Sequence, residues 1–135
     1  MDTPVPGMTL PTVLSALAAR LPERFSLSEG RAGGTVKLLG RDDEADEWIN
    51  LGWWPKAGGG YVVRDRDLRA LLEQECEARG WAWDTGRGFG GCFASIGNRA
   101  RWESTGENEM YVIASADTPA EALCLALLDA LEAQS

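Results

Sequence analysis

The stretch YVIASADTPAEALCLALLDALEA, residues 111–133, decides most of what the sequence predicts about the fold. It begins with aromatic and β-branched residues, which are typical of a strand. Thr118, Pro119 and Glu121 then match the N-cap, the first position and the third position of a capped helix. Residues 122–128 are apolar on every side of that helix. We therefore expect a sheet and either another helix or a second subunit to enclose it.

The rest of the chain repeats this alternation of strands and helices. Apolar spacing predicts helices at 10–21 and 66–79, besides the one at 118–133. Short apolar runs between turns predict mostly antiparallel strands, at residues 34–40, 48–54, 61–63, 81–84, 92–97, 99–103 and 110–114. We predict a flexible tail over residues 1–8 and one α+β domain over 9–135, with helices packed on a mostly antiparallel sheet of four to six strands.

One of these strands, WINLGWW at residues 48–54, carries large apolar groups at both odd and even positions. In a regular strand Ile49, Leu51 and Trp53 share one face, and the other two tryptophans of the run share the opposite face. This pattern predicts cover on both sides of that part of the sheet.

The charge and composition disfavour several classes of function. There are 21 acidic residues and 13 basic ones, a formal net charge of −8, which disfavours binding to nucleic acids and to anionic membranes. No apolar run reaches the roughly 18 residues of a transmembrane helix, and the N-terminus lacks the pattern of a secretory signal. Three widely spaced cysteines without a C-x-x-C pair indicate reduced thiols, so we expect a cytoplasmic protein.

The sequence contains no histidine, which excludes histidine-dependent serine and cysteine catalysis and most zinc sites. A cysteine nucleophile would lack its usual base. Cys76 and Cys124 fall on apolar helix faces, where a buried small side chain is the expected role. We predict no catalytic residues and no cofactor.

Residues 86–91, GRGFGG, match the dinucleotide-binding pattern G-x-G-x-x-G. That pattern holds a pyrophosphate only where a helix opens after it. Residues 92–96 alternate like a strand instead, so we predict a glycine hairpin without a nucleotide. The alternative is an anion pocket of this loop with Arg99 and Arg101, in a small-ligand-binding domain or a minor enzyme.

The acidic run RDDEADE at residues 41–47 departs from the EF-hand pattern. Counted from Asp42, the sixth and twelfth positions hold Glu47 and Trp53 in place of glycine and glutamate. We predict a solvated hairpin tip and no metal site. An acidic surface that mimics DNA is a third interpretation, and the scattering of the other acids among basic residues counts against it.

Six tryptophans are more than a core of this size accommodates easily. We expect two or three in the interior and the rest at a rim, a groove or a subunit interface. Arginine beside tryptophan is favoured at protein interfaces, although it also serves to shield an edge tryptophan. The predicted interaction surface consists of Trp54, Arg87, Phe89, Arg99, Arg101 and Trp102.

Residues 111–131 resemble the end of the phage ABA-sandwich domain family, small proteins of bacteriophages and prophages. In that family a strand runs into a Thr-Pro start and a helix of Ala/Ile-Cys-x-Ala-Leu-Leu type. The tryptophan-containing strand and the glycine-rich hairpin upstream are also similar, so the resemblance covers residues 61–133. The helix at 9–21 lacks the family's Ala-Trp-Val-Val-Glu-like pattern, which leaves the strand order of the N-terminal half open.

This resemblance implies a helix–sheet–helix sandwich of phage or prophage origin, and it brings no reaction and no catalytic residues with it. Together with the composition, it predicts a non-enzymatic accessory protein in preference to an enzyme. The expected partner is another protein, of host or phage origin, and a homodimer is compatible with the pattern.

Overall fold

The computed structural model describes residues 10–30, 34–55, 60–88, 90–98 and 109–134 of the 135-residue chain. These residues form three α-helices and seven β-strands in two antiparallel sheets, which confirms the predicted α+β fold.

The strands form a sheet of four and a sheet of three, where we predicted one sheet of four to six. The reason is that a 14-residue helix separates two runs of consecutive antiparallel strands. The chain accordingly divides into two compact units, Met1–Arg64 and Asp65–Ser135. That the units form one domain stays a prediction.

The first unit contains one helix and a four-stranded meander in which each strand pairs with the next. Its elements are α1 (Leu10–Arg20), β1 (Phe25–Glu29), β2 (Thr35–Asp42), β3 (Glu47–Pro55) and β4 (Val62–Val63). Helix α1 buries its apolar side and contacts β1. We did not predict β1, although apolar Phe25 and Leu27 alternate there with serines, which is a strand pattern.

Strand β3 contains a β-bulge that corrects our assignment of its faces. Leu38 pairs with Gly52 and Leu39 pairs with Asn50, so Leu51 is an extra residue on β3. A bulge residue shifts the alternation of the strand by one position. Even-numbered residues before the bulge and odd-numbered residues after it therefore lie on the same face. Only one face of this strand is strongly apolar and buried.

The backbone groups at the bulge make hydrogen bonds outside the pairing of β3 with β2. The N–H of Arg64 donates to the carbonyl of Leu51 at 2.6 Å, and the side-chain oxygen of Asn50 accepts from the N–H of Gly52 at 3.0 Å. Because buried backbone groups are costly to leave unpaired, these bonds stabilise the shifted register.

The second unit is a three-stranded antiparallel sheet with two helices packed on it. Its elements are α2 (Asp65–Ala78), β5 (Ala82–Gly88), β6 (Gly91–Gly97), β7 (Tyr111–Ala116) and α3 (Pro119–Gln134), with the strands in the order β5-β6-β7. Helix α3 packs on β6 and β7, and α2 packs on α3 and β5. The sheet and a second helix thus enclose the apolar segment of α3, as its sequence predicted.

The ends of the two long helices follow their local sequence. Thr118 Oγ1 accepts a hydrogen bond from the N–H of Glu121 at 3.2 Å, which confirms the predicted N-cap of α3. Gly80 has a φ of 73°, and the N–H of Trp81 donates to the carbonyl of Cys76 at 2.9 Å. This is the Schellman arrangement, in which a left-handed glycine ends the helix.

One capping residue of α3 makes stability depend on pH. Burial, then the charges of Asp117 and Asp65, raise the pKa of Glu121 above its ordinary value of 4.5. When folding raises the pKa of a carboxyl group, the free energy of unfolding falls as pH rises from the pKa of the unfolded chain to the pKa of the folded protein. We expect Glu121→Gln to raise the melting temperature at pH 7, with the gain disappearing below about pH 4.

Thermal unfolding of wild type and Glu121→Gln between acid and neutral pH measures this effect. Glu23→Gln is the matched control, because it makes the same change at an exposed glutamate outside the helices. An unchanged or lower melting temperature of Glu121→Gln at pH 7 would show that the cap outweighs desolvation of the carboxylate.

Candidate functional site

The exposed face of the first sheet presents a ladder of three cross-strand pairs. These pairs, which we call the tryptophan face, are Lys37–Trp53, Leu39–Asn50 and Arg41–Trp48. The bulge at Leu51 brings both tryptophans to this face. It lies between them in the sequence and reverses the alternation of faces along the strand.

The two tryptophans are unusually exposed for residues of this size. Trp48 is 40% exposed and Trp53 is 41% exposed, and Val62 of β4, which lies opposite Trp53, is 51% exposed. The β2 partners of the two indoles, Lys37 and Arg41, are four positions apart, so the indoles lie roughly 13 Å apart along the strand. The tryptophan face therefore offers two separate aromatic surfaces for contact, and exposed Val62 extends the apolar surface beside Trp53.

Each tryptophan has a basic residue across the strand pair, but the two cations differ in their surroundings. The Arg41 guanidinium lies 5.7 Å from the centroid of the Trp48 ring, and it also pairs with Asp46. Lys37 is exposed and makes no ion pair within the described part of the chain. Positive charge is thus balanced at the Trp48 end of the face and available at the Trp53 end.

The six residues of the tryptophan face are two indoles, two basic side chains, one amide and one aliphatic side chain. Within the described ranges no group of three or more acidic or cysteine side chains is placed to hold a metal ion.

The structure corrects one residue of the interaction surface predicted from sequence. Trp54 is 9% exposed and belongs to the buried side of β3, because it alternates with Trp53 along the strand and the bulge puts it on the face opposite Trp48. Arg87 is exposed near the end of β5, in the other unit. The remaining predicted residues, Phe89, Arg99, Arg101 and Trp102, lie outside the described residues, as does the predicted strand at 99–103.

Sequence reasoning missed Trp48 and Trp53 as site residues, although it expected exposed tryptophans. Of the five described tryptophans, Trp54 and Trp81 are buried and Trp83 is half-buried. Trp81 packs under the Arg79 guanidinium, 5.3 Å from the ring centroid. Regular alternation placed Trp48 and Trp53 on opposite faces, so the sequence pattern contained no signal for the pair.

The glycine-rich segment is the hairpin that its sequence predicted. Gly88 pairs with Gly91, and strand β6 follows directly, so no helix opens at the loop. Gly90 and Gly91 have φ values of 89° and 127°, which glycine adopts without strain. A depression of about 250 Å³ lies beside the hairpin, and the described residues that line it include glycines, Cys92 and Phe93 but no charged side chain.

The acidic run is a hairpin tip, as predicted. Strand β2 ends at Asp42 and β3 begins at Glu47, and the Asp42 carboxylate accepts hydrogen bonds from the backbone of the turn. Asp43 pairs with Arg24, and Asp46 pairs with Arg41. Two of the tip carboxylates are therefore already neutralised, which counts against a surface that mimics DNA.

All three cysteines are buried free thiols. Burial, with Glu75 and Glu73 nearby, raises the pKa of Cys76 to about 12. Burial and Glu121 also raise the pKa of Cys124. A thiol with a raised pKa stays protonated at neutral pH and is a poor nucleophile, so the predicted packing role fits both residues.

Comparisons with protein-family models, curated proteins and solved structures give no match. Within the described residues, no helix has the length and apolar character needed to cross a membrane.

Proposed function

We propose that the protein is a non-enzymatic binding protein that docks a partner protein on the tryptophan face. The observation that carries this proposal is the bulge at Leu51, which brings Trp48 and Trp53 to one exposed sheet surface, each opposite a basic residue. Tryptophan and arginine are the residues most enriched among energetic hot spots of protein interfaces.

The charges of the face indicate the chemistry of the partner. At one end Arg41 is already paired with Asp46, whereas Lys37 at the other end is exposed. A complementary protein surface would cover the two indoles with apolar side chains and place a carboxylate near Lys37. Phosphate backbones fit less well, because the acidic hairpin tip adjoins Trp48 and the chain carries a net charge of −8.

The biological setting is proposed from the sequence. The resemblance of residues 61–133 to the phage ABA-sandwich family supports an accessory protein of phage or prophage type, with a host or phage protein as partner. Three buried free thiols support a cytoplasmic location. The described lining of the depression at the glycine hairpin lacks a cation, so it adds no support for an anionic ligand.

Affinity capture followed by calorimetry tests the proposal. Tagged wild type, the double variant Trp48→Ala/Trp53→Ala and the control Leu27→Ala are incubated with lysate of the cell in which the chain is made. We expect a protein that wild type and the control retain and the double variant loses. Titration of that purified protein should show a loss of about 2 kcal/mol for Trp53→Ala alone, roughly a thirtyfold weaker Kd.

The control is matched because Leu27 is also an exposed large apolar side chain, 38% exposed, and it lies opposite Leu38, on the sheet face away from the two tryptophans. Circular dichroism and thermal unfolding of each variant verify that the fold is retained, because each changed side chain is more than half covered by its neighbours. Equal retention of the partner by wild type and the double variant, or a specific complex with nucleic acid, would contradict the proposal.

A further inference from the structure

The two sheets have four edge strands in the described part of the chain, and three of them are protected against pairing. Strand β4 has two residues, β1 carries Glu29, and β5 carries Asp84 and Arg87. Short length and charged side chains are the usual means by which proteins prevent edge-to-edge association. Strand β7, with the sequence YVIASA, is six residues long and has no charge, proline or bulge.

The outer edge of β7 is defined by the register of this strand with β6. Asn98 and Met110 form a hydrogen-bonded pair just before β7, with the Asn98 N–H donating to the Met110 carbonyl at 3.1 Å. Hydrogen-bonded pairs alternate along an antiparallel ladder. The backbone groups of Val112 and Ala114 therefore face β6, and those of Ile113 and Ser115 point outward. No described strand pairs with that outer edge.

The side chain at the centre of this edge is the most exposed large apolar residue of the described chain. Ile113 is 59% exposed, on the sheet face opposite buried Ala94 and Ile96. Exposed apolar side chains beside unpaired backbone groups make a strand a template for another strand.

We infer that β7 pairs antiparallel with β7 of a second copy, in a symmetric dimer with its axis at Ile113. In this register Ile113 lies opposite the partner's Ile113, and Ser115 lies opposite the partner's Tyr111. Each outward N–H of the strand centre then meets a carbonyl of the second copy, and each outward carbonyl meets an N–H. The pairing brings no charges together within the six residues. The two three-stranded sheets become one sheet of six strands.

The residues that flank β7 limit how far the pairing can extend along the strand. The strand lies between Glu109 and Asp117, so in the inferred register each Glu109 faces the partner's Asp117. Like charges at both ends oppose extension of the pairing, and the other edge of the sheet carries the charges of β5. The contact closes as a dimer, and it should strengthen as salt screens the flanking carboxylates.

Sedimentation equilibrium of the full chain tests the inference, which does not depend on the tryptophan face. We expect wild type to be a dimer at micromolar concentration and to bind more tightly at higher salt. Ile113→Lys should weaken the dimer by roughly a hundredfold or more, because the axis places two like charges together. Ile113→Lys mixed with Ile113→Glu should form a heterodimer, since opposite charges then face each other.

Val62→Lys is the matched control, because Val62 is 51% exposed on an edge strand of the other sheet. It should remain a dimer with the wild-type dissociation constant. Circular dichroism of each variant verifies that the fold is retained, as expected for changes at exposed positions. A monomeric wild type, a dimer that survives Ile113→Lys, or a dimer lost in Val62→Lys instead would overturn the inference.

Discussion

Leu127→Ala is expected to lower the free energy of unfolding by about 3 kcal/mol. The Leu127 side chain is fully buried on α3, the helix that contacts all three strands of the second sheet and α2. Its removal takes away the transfer free energy of the lost groups and leaves a cavity that packed neighbours fill only in part. The effect is large because α3 is buried on several sides and cannot shift toward one of them without losing contacts on another.

Urea denaturation of wild type, Leu127→Ala and Leu128→Ala measures this prediction. Leu128 is the next residue on the same helix and is half-buried, so the control removes the same atoms from a site that water partly reaches. We expect Leu128→Ala to cost less than half as much, with the same m-value for all three proteins. Equal losses for the two variants would mean that α3 is not enclosed in the way the structure shows.

Gly52→Ala is expected to destabilise the protein by on the order of 3 kcal/mol. A Cβ atom at Gly52 would lie 2.5 Å from the Val62 carbonyl oxygen and 3.0 Å from the Val63 Cα. Both neighbours are backbone atoms of β4, so relief requires the strand to move away, which breaks its pairing with β3. Glycine is therefore required at this position to let two strands approach next to the bulge.

Gly88→Ala is the matched control, since a Cβ at Gly88 would meet no atom within 4 Å. Both variants add one methyl group to a strand glycine, and only Gly52→Ala creates a clash. Chemical denaturation should show a loss for Gly52→Ala and a change within about 0.5 kcal/mol for Gly88→Ala. Since Trp53 lies opposite Val62, Gly52→Ala should also weaken partner binding. Wild-type stability of this variant would refute the close approach of β3 and β4 at Gly52.

Much of the second unit could be predicted because its signals are local. Thr118 and Glu121 cap α3 through neighbouring backbone groups, and Gly80 ends α2 because it adopts a left-handed conformation without strain. The glycine hairpin was recognised from the alternation that follows it. In each case a few adjacent residues determine where the helix or hairpin begins or ends.

The candidate site could not be predicted from the sequence of β3 because it depends on how β3 pairs with β2. The sequence by itself determined the helices, most of the strands, the absence of histidine chemistry and an excess of tryptophan. Tertiary structure alone decided which tryptophans are exposed, since one unpaired residue, Leu51, reverses the alternation of β3. A bulge arises from how two strands match each other across a ladder, and a single strand's pattern of apolar residues does not contain that information.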